Sequence, residues 1–309
     1  MRALTLIGLM IVFSAPTSAV ATSCGNEGVA VQVLGSGNAD FSAKRAGNSV
    51  LVWVDGRARV LINAGGGSAL RFHESGAAWN DLDAILFTQI DTSHSADLPA
   101  LLNSVQHLGR TRALPVYGPS DNRQAPSTVM FVRDLLDPVR GIYRHLGGML
   151  APLEKRGYKL EPHDVREPAK RLTTPRRPGA ALLPVFSNDR LRVHALLHAP
   201  DPALRISWRL DIGNVRLAVA SGAQDDHETL ARLTHDAALL VAPFPVTNAS
   251  SSEPFTGLGQ GAHQARVRQI VFMQRGASAA DRTDEALAAL RRGFAGPVHF
   301  ADDLRCYLQ

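Results

Sequence analysis

The chain has 309 residues, 45% of them hydrophobic and 20% charged, with a formal net charge of +5 at pH 7. This ordinary globular composition excludes a largely disordered chain, and the length suits one large α/β domain whose core needs no staples. The basic excess is too mild to demand a nucleic-acid partner.

In chain order, the first 21 residues read as a targeting segment. Arg2 supplies a positive start, Ala3 to Phe13 form a short apolar run, and small residues up to Ala19 and Ala21 suit cleavage. The expectation is an exported protein, periplasmic or secreted, with residues 22–309 as its single domain. The run is too short for a bilayer, and no later stretch approaches about 20 apolar residues, so no membrane span is expected. Cys24 and Cys306 sit near the two ends of the mature chain. In an exported protein they predict a disulfide tying the termini together, lipid attachment at Cys24 being the alternative.

Val29 to Leu34 alternates as a strand does. Ser49 to Val54 and Arg59 to Ile62 flank Asp55-Gly56, a hairpin signal. Ser68 to Ser75 predicts a helix, Leu82 to Thr88 a buried strand, Gln89 to Ser95 a loop and Ala96 to Leu108 a helix. Ala113 to Tyr117 predicts a strand and Ser127 to Leu136 a helix. Residues 137–180 are rich in Pro, Gly and charge and predict loops around an inserted helical segment. There Lys155, Arg156, Lys159, Arg166, Lys170, Arg171, Arg176 and Arg177 interleave with Glu154, Glu161, Asp164 and Glu167. This reads as a solvated loop, with a surface for an anionic partner as the alternative.

Strand patterns resume at Arg192 to Leu197, Arg205 to Leu210 and Val215 to Ala220. Asp226 to Leu233 reads as a helix, Ala237 to Val241 as a strand and Gly259 to Ala265 as a helix. Gln269 to Met273, Thr283 to Gly293 and Val298 to Phe300 then predict strand, helix and strand. Strands in runs with helices between them, in two similar halves, predict an α+β, αββα four-layer sandwich: two mixed β-sheets face to face with helices outside.

Several segments carry a family resemblance. They are Val33-Leu-Gly-Ser-Gly, Val60-Leu-Ile-Asn-Ala-Gly, Ala84-Ile-Leu-Phe-Thr, His94-Ser-Ala-Asp-Leu, His198-Ala-Pro-Asp and Val219-Ala-Ser-Gly. Together they make the chain resemble the metallo-β-lactamase-fold superfamily, near its ribonuclease Z and arylsulfatase-like branch. The resemblance implies a centre built on His-x-His-x-Asp-His, a later His, an Asp in a Ser-Gly-Asp turn and a final His. Imidazole and carboxylate suit catalytic zinc, and paired metals activate a bridging hydroxide.

Laid onto that pattern, this chain reads Gln89-Ile-Asp-Thr-Ser-His94. Gln89 and Asp91 stand at the first two His positions, Ser93 at the Asp position, and His94 at the third His position. His198 matches the later His. Ala223 replaces the bridging Asp, Gln274 the last His, and Asn63 an early Asp. Neither metal site keeps three strong ligands, so the expectation is no cofactor, or else one weakly bound Zn or Mn held by Asp91, His94 and His198, with Asp225, Asp226 or His227 nearby. Without a metal, bound water keeps a pKa near 15.7 and the ordinary mechanism fails at its first step.

Two functional readings follow. One is a non-catalytic pseudoenzyme, a binding or regulatory protein whose former cleft takes a small molecule or a protein ligand. The other is a divergent one-metal hydrolase of phosphate, sulfate or ester substrates, with Asp91, His94 and His198 as its candidate catalytic residues. Ser93-His94 also offers a nucleophile beside a base, but adjacent side chains seldom align so, and no Gly-x-Ser-x-Gly elbow occurs. His194 lies on the strand face of His198 and is a candidate supporting residue.

Overall fold

Two-residue alternation sets the first strands. In β1 (Val29–Gly35), Val29, Val31 and Val33 face one apolar layer while Ala30 and Leu34 face another, so the strand is buried on both sides. It is followed by β2 (Ser49–Val54) and β3 (Arg57–Ile62), which form a hairpin turning at Asp55-Gly56, both at positive φ. The computed structural model describes residues 24–37, 45–150, 159–167, 181–198, 204–222, 227–245, 253–274 and 283–309. The expected leader, most of the basic cluster (Lys155, Arg156, Lys170, Arg171, Arg176 and Arg177), and Ala223, Asp225 and Asp226 lie outside those residues.

The first half continues through α1 (Ser68–Glu74), β4 (Ala84–Leu86), α2 (Thr92–Ser95), α3 (Leu98–Val105), β5 (Leu114–Pro119), α4 (Thr128–Leu136) and β6 (Leu160–Val165). The second half holds β7 (Leu183–Ser187), β8 (Leu191–Leu197), β9 (Ile206–Ile212), β10 (Val215–Val219), α5 (His227–Thr234) and β11 (Leu239–Pro243). It ends in α6 (Glu253–Gln264), β12 (Gln269–Met273), α7 (Thr283–Arg291), β13 (Val298–Phe300) and β14 (Cys306–Leu308).

These strands make two seven-stranded mixed sheets, β14-β1-β2-β3-β4-β5-β6 and β13-β12-β11-β10-β9-β8-β7. Each has an antiparallel part and a parallel part. The parallel pairings are β3-β4, β4-β5 and β5-β6 in one sheet, and β10-β11, β11-β12 and β12-β13 in the other. Three apolar layers follow. One packs the first sheet on α1, α3 and α4, one lies between the sheets around Trp208, Ile62, Leu86 and Val241, and one packs the second sheet on α5, α6 and α7. This is the expected αββα sandwich. Each fully buried Val, Leu or Ile in it contributes roughly 1.5–3 kcal/mol of transfer free energy.

The differences from expectation have physical causes. Residues 137–180 contain a 3-10 turn at Arg144–Met149, but also β6, a strand where loops and helix were expected. β6 carries Pro162 and β7 carries Pro184, and both are edge strands, where a missing N–H is tolerated. The helix expected from Ala96 is held to Leu98–Val105, with Pro99 in its first turn. Gln89 to Ser95 is not all loop, because Asp91 caps the short α2 by accepting from the His94 N–H. β14 pairs with β1 beside a disulfide joining Cys24 to Cys306, 282 positions apart in sequence. Among the described residues, no helix is long and apolar enough to cross a membrane.

Candidate functional site

Three chain reversals at the C-terminal ends of strands build the first half of the site. After β3, Asn63 adopts a left-handed conformation (φ 62°) and the glycines that follow turn the chain. The Asn63 side chain is buried. Its Oδ1 accepts from Thr88 N (2.9 Å) and Thr88 Oγ (3.2 Å), and its Nδ2 donates to Asn48 Oδ1 (2.9 Å). After β4, residues 89–97 pack onto that turn. Ala64 N donates to the His94 carbonyl (2.7 Å), and Asp97 N donates to the Ala64 carbonyl (2.9 Å). A Cβ on Gly65 would sit 2.1 Å from the Ser93 carbonyl oxygen, so the close approach of these two segments requires glycine. After β12, Gln274 has φ 58°, and its N–H donates to the Ser36 carbonyl (2.9 Å).

Gln89, Asp91, His94 and Gln274 converge. His94 is 7% exposed. Its Nδ1 lies 2.7 Å from Asp91 Oδ1 and 3.1 Å from Gln89 Nε2, and its Nε2 lies 3.0 Å from Gln274 Nε2. Gln89 Nε2 also donates to Asp91 Oδ2. One proton arrangement fits the closest contacts: His94 carries its proton on Nδ1 and donates to Asp91, Nε2 accepts from the Gln274 amide, and the Gln89 amide donates to Asp91 alongside Nδ1. Burial works to raise the Asp91 carboxyl. The hydrogen bond from His94, helped by those from Gln89 and the Ser93 N–H, outweighs it and holds the carboxyl below the usual aspartate range. Ser93 contributes its backbone to this loop.

His198 belongs to a second cluster. Its N–H donates to the Arg205 carbonyl (2.9 Å), and its Nε2 lies 2.6 Å from Ser207 Oγ. Ser207, on β9, is fully buried. Its Oγ also accepts from Ser221 N (2.9 Å) and lies 3.3 Å from Ser221 Oγ. Ile206 N donates to the Thr88 carbonyl (2.8 Å), which ties the start of β9 to the segment leading into Gln89. His194 does not join this cluster. Its Nδ1 sits 3.4 Å from Asp211 Oδ2, an ion-pair distance rather than a hydrogen bond, and Asp211 is held by Arg209 at 2.9 Å. Burial, chiefly, pushes the His194 imidazole below the ordinary histidine range.

Ser207 escapes sequence reasoning. Within Ile206-Ser-Trp-Arg-Leu-Asp-Ile it is one of three polar residues on one face of the strand, and only the fold brings it to His198 and Ser221.

The donor chemistry does not fit a two-metal centre. Among the described residues, no group of three or more His, Cys, Asp or Glu side chains could hold a metal. Gln89 and Gln274 offer neutral amides, and at His94 both ring nitrogens are engaged by protein groups. A metal on Nε2 would have to displace the Gln274 amide.

The fold can be placed among known structures. The metallo-β-lactamase fold protein YhfI of Bacillus subtilis gives a TM-score of 0.63 at 13% identity, covering 90% of this chain and 98% of that one. The short form of human tRNase Z gives 0.62 at 15% identity, covering 90% and 98%. The chain has the metallo-β-lactamase fold. Its curated relatives include the ribonuclease Z of Mycobacterium sp. (strain KMS), 42% identical over 74 residues. That match covers 24% of this chain and spans only about a quarter (26%) of the relative's length. No protein-family model matches the chain.

Proposed function

We propose that this chain is an exported pseudoenzyme of the metallo-β-lactamase fold, a binding or regulatory protein without metal-dependent hydrolase activity. The carrying observation is the hydrogen-bond cluster in which the Gln274 amide donates to His94 Nε2, while His94 Nδ1 and the Gln89 amide both donate to Asp91. A polar cluster whose donors and acceptors are matched is stable without a cation, and a cation entering it must first break those bonds. The occupant of the former cleft is a small molecule or a protein segment. The disulfide and the leader-like first 21 residues support export.

Elemental analysis tests this reading. Mature protein is incubated with zinc or manganese and then desalted. The expectation is metal well below one equivalent per chain, and phosphodiester, sulfate and ester turnover that chelation does not change. One or two retained metals, with turnover abolished by chelation and by His198→Ala, would overturn it in favour of a divergent hydrolase.

A further inference from the structure

The second cluster places three side chains in a line that the metal-ligand pattern does not anticipate. Ser221 follows the end of β10, where Ala220 N closes the parallel pairing by donating to the Val241 carbonyl. This is the C-terminal end of the strands, the end that carries Gln274 after β12 and the Gln89–His94 segment after β4. Functional groups gather at this end in open α/β sheets. Ser221 is half-buried, so its hydroxyl is reachable, whereas Ser207 beneath it is sealed from solvent.

The hydrogen-bond accounting at Ser207 admits a path toward the imidazole. A serine hydroxyl has one proton to donate and two lone pairs. Ser207 Oγ already accepts from the Ser221 N–H at 2.9 Å. With His198 protonated on Nδ1, Ser207 gives its only proton to His198 Nε2 at 2.6 Å, and its second lone pair accepts the Ser221 hydroxyl at 3.3 Å. The line Ser221 O–H, Ser207 O–H, His198 Nε2 is then a two-step proton path ending on an imidazole. A serine is a weak nucleophile until a positioned base takes its proton, and an intervening hydroxyl can relay that proton.

We propose that Ser221 is an acylation site, a nucleophile that captures carboxylic esters or lactones covalently without a metal. The Ser221 Oγ attacks the carbonyl carbon. Its proton passes to Ser207 Oγ as the Ser207 proton passes to His198 Nε2. The tetrahedral adduct collapses with cleavage of the carbonyl carbon–alkoxide bond, and the departing alkoxide takes the proton from His198 Nε2. The products are an acyl ester on Ser221 and an alcohol, which in a lactone remains attached as the opened chain. Ser221 is the reacting group, and Ser207 and His198 act through it. This goes beyond the binding reading, because it gives the cleft a covalent way of holding its ligand.

The test uses the full mature chain and a fluorophosphonate probe. This probe labels activated serines as oxygen displaces fluoride from phosphorus, and p-nitrophenyl acetate is run in parallel. Intact-mass spectrometry and peptide mapping should find a single adduct on Ser221, absent in Ser221→Ala and retained in Ser93→Ala. Ser207→Ala and His198→Gln, each with wild-type circular dichroism, should slow labelling at least tenfold. Ser207→Thr, which keeps the relaying hydroxyl, should label faster than Ser207→Ala. No adduct on Ser221, or Ser221 labelling equally fast in folded Ser207→Ala, would overturn the proposal. Metal content is read separately, so failure here and failure of the metal-free reading are distinguishable.

Discussion

The layer between the sheets and the cleft at the strand ends follow different rules. Between the sheets, Val31, Val52, Ile62, Leu86, Trp208, Leu210 and Val241 are all buried and apolar, as the two-sheet sandwich demands. Of the positions the resemblance casts as metal ligands, Gln89, Asp91, Ser93, Ala223 and Gln274 carry other residues and His94 and His198 remain histidines. The cleft's described side chains instead meet in hydrogen bonds, Gln274 and Asp91 around His94, and Ser207 around His198. The difference teaches that dense apolar packing across two sheets specifies this architecture. The side chains after β4, β8, β10 and β12 are arranged by hydrogen bonds of their own, so a site there can change while the sandwich stands.

If that separation is real, the largest effect should come from rewriting the cleft on an unchanged scaffold. A chain combining Gln89→His, Asp91→His, Ser93→Asp, Ala223→Asp and Gln274→His restores the ligand set the resemblance implies. It should bind zinc at micromolar affinity or tighter, about −8 kcal/mol, where the parent retains almost none. Calorimetric titration and elemental analysis read this directly. A folded variant that still holds no zinc would break the comparison, because the scaffold itself would then have lost the site's geometry.

Stability should divide the same way. Trp208 is fully buried between the sheets, and Trp208→Ala should destabilise the protein by about 3–5 kcal/mol. Gln89→Ala removes hydrogen bonds from a partly exposed amide and should cost about 1 kcal/mol or less. Urea unfolding of both variants measures the ratio. Equal losses would mean that the cleft cluster is part of what holds the sandwich together.

The sequence made the apolar layers legible because β1, β8 and β9 alternate and β2, β3 and β12 are short apolar runs, as strands covered on both faces are, while Asp55-Gly56 needs only local turn chemistry. It hid β6 and β7, whose prolines argue against strands unless one knows that they lie on sheet edges. At the site, the resemblance indicated the positions of Gln89, Asp91, His94, His198 and Gln274, but not what those residues do. That the Gln274 amide reaches His94 across 180 positions, or that Ser207 lies between His198 and Ser221, depends on sheet packing no local pattern encodes. Asp91 as the cap of α2 was locally readable, since an Asp before Thr-Ser-His is a common N-cap choice.

The smallest effect lies outside both regions and calibrates them. Asp236, half-buried at the turn between α5 and β11, meets Arg266 Nε at 2.6 Å, Arg216 Nη1 at 2.7 Å and His235 Nδ1 at 3.0 Å. The Arg266 hydrogen bond leads in lowering its carboxyl from 3.8 to about 2, opposed by burial and aided by the charges of Arg266 and His235 and the Arg216 hydrogen bond. A depressed carboxyl contributes stability above its unfolded value and loses it as pH falls through the folded one. The contribution should therefore be present at neutral pH and fade between 3.8 and about 2. Because the cluster lies at the surface, where solvent screens it, the contribution is small. Asp236→Asn suits the test, because position 236 has φ 57° and asparagine tolerates that left-handed conformation. The variant should show a slightly lower urea midpoint than wild type at pH 7, with the gap closing by pH 2 and shrinking in high salt. A gap that persists at pH 2 would assign the difference to amide geometry instead of charge, and would show that even the protein's surface is held by packing more than by its ion pairs.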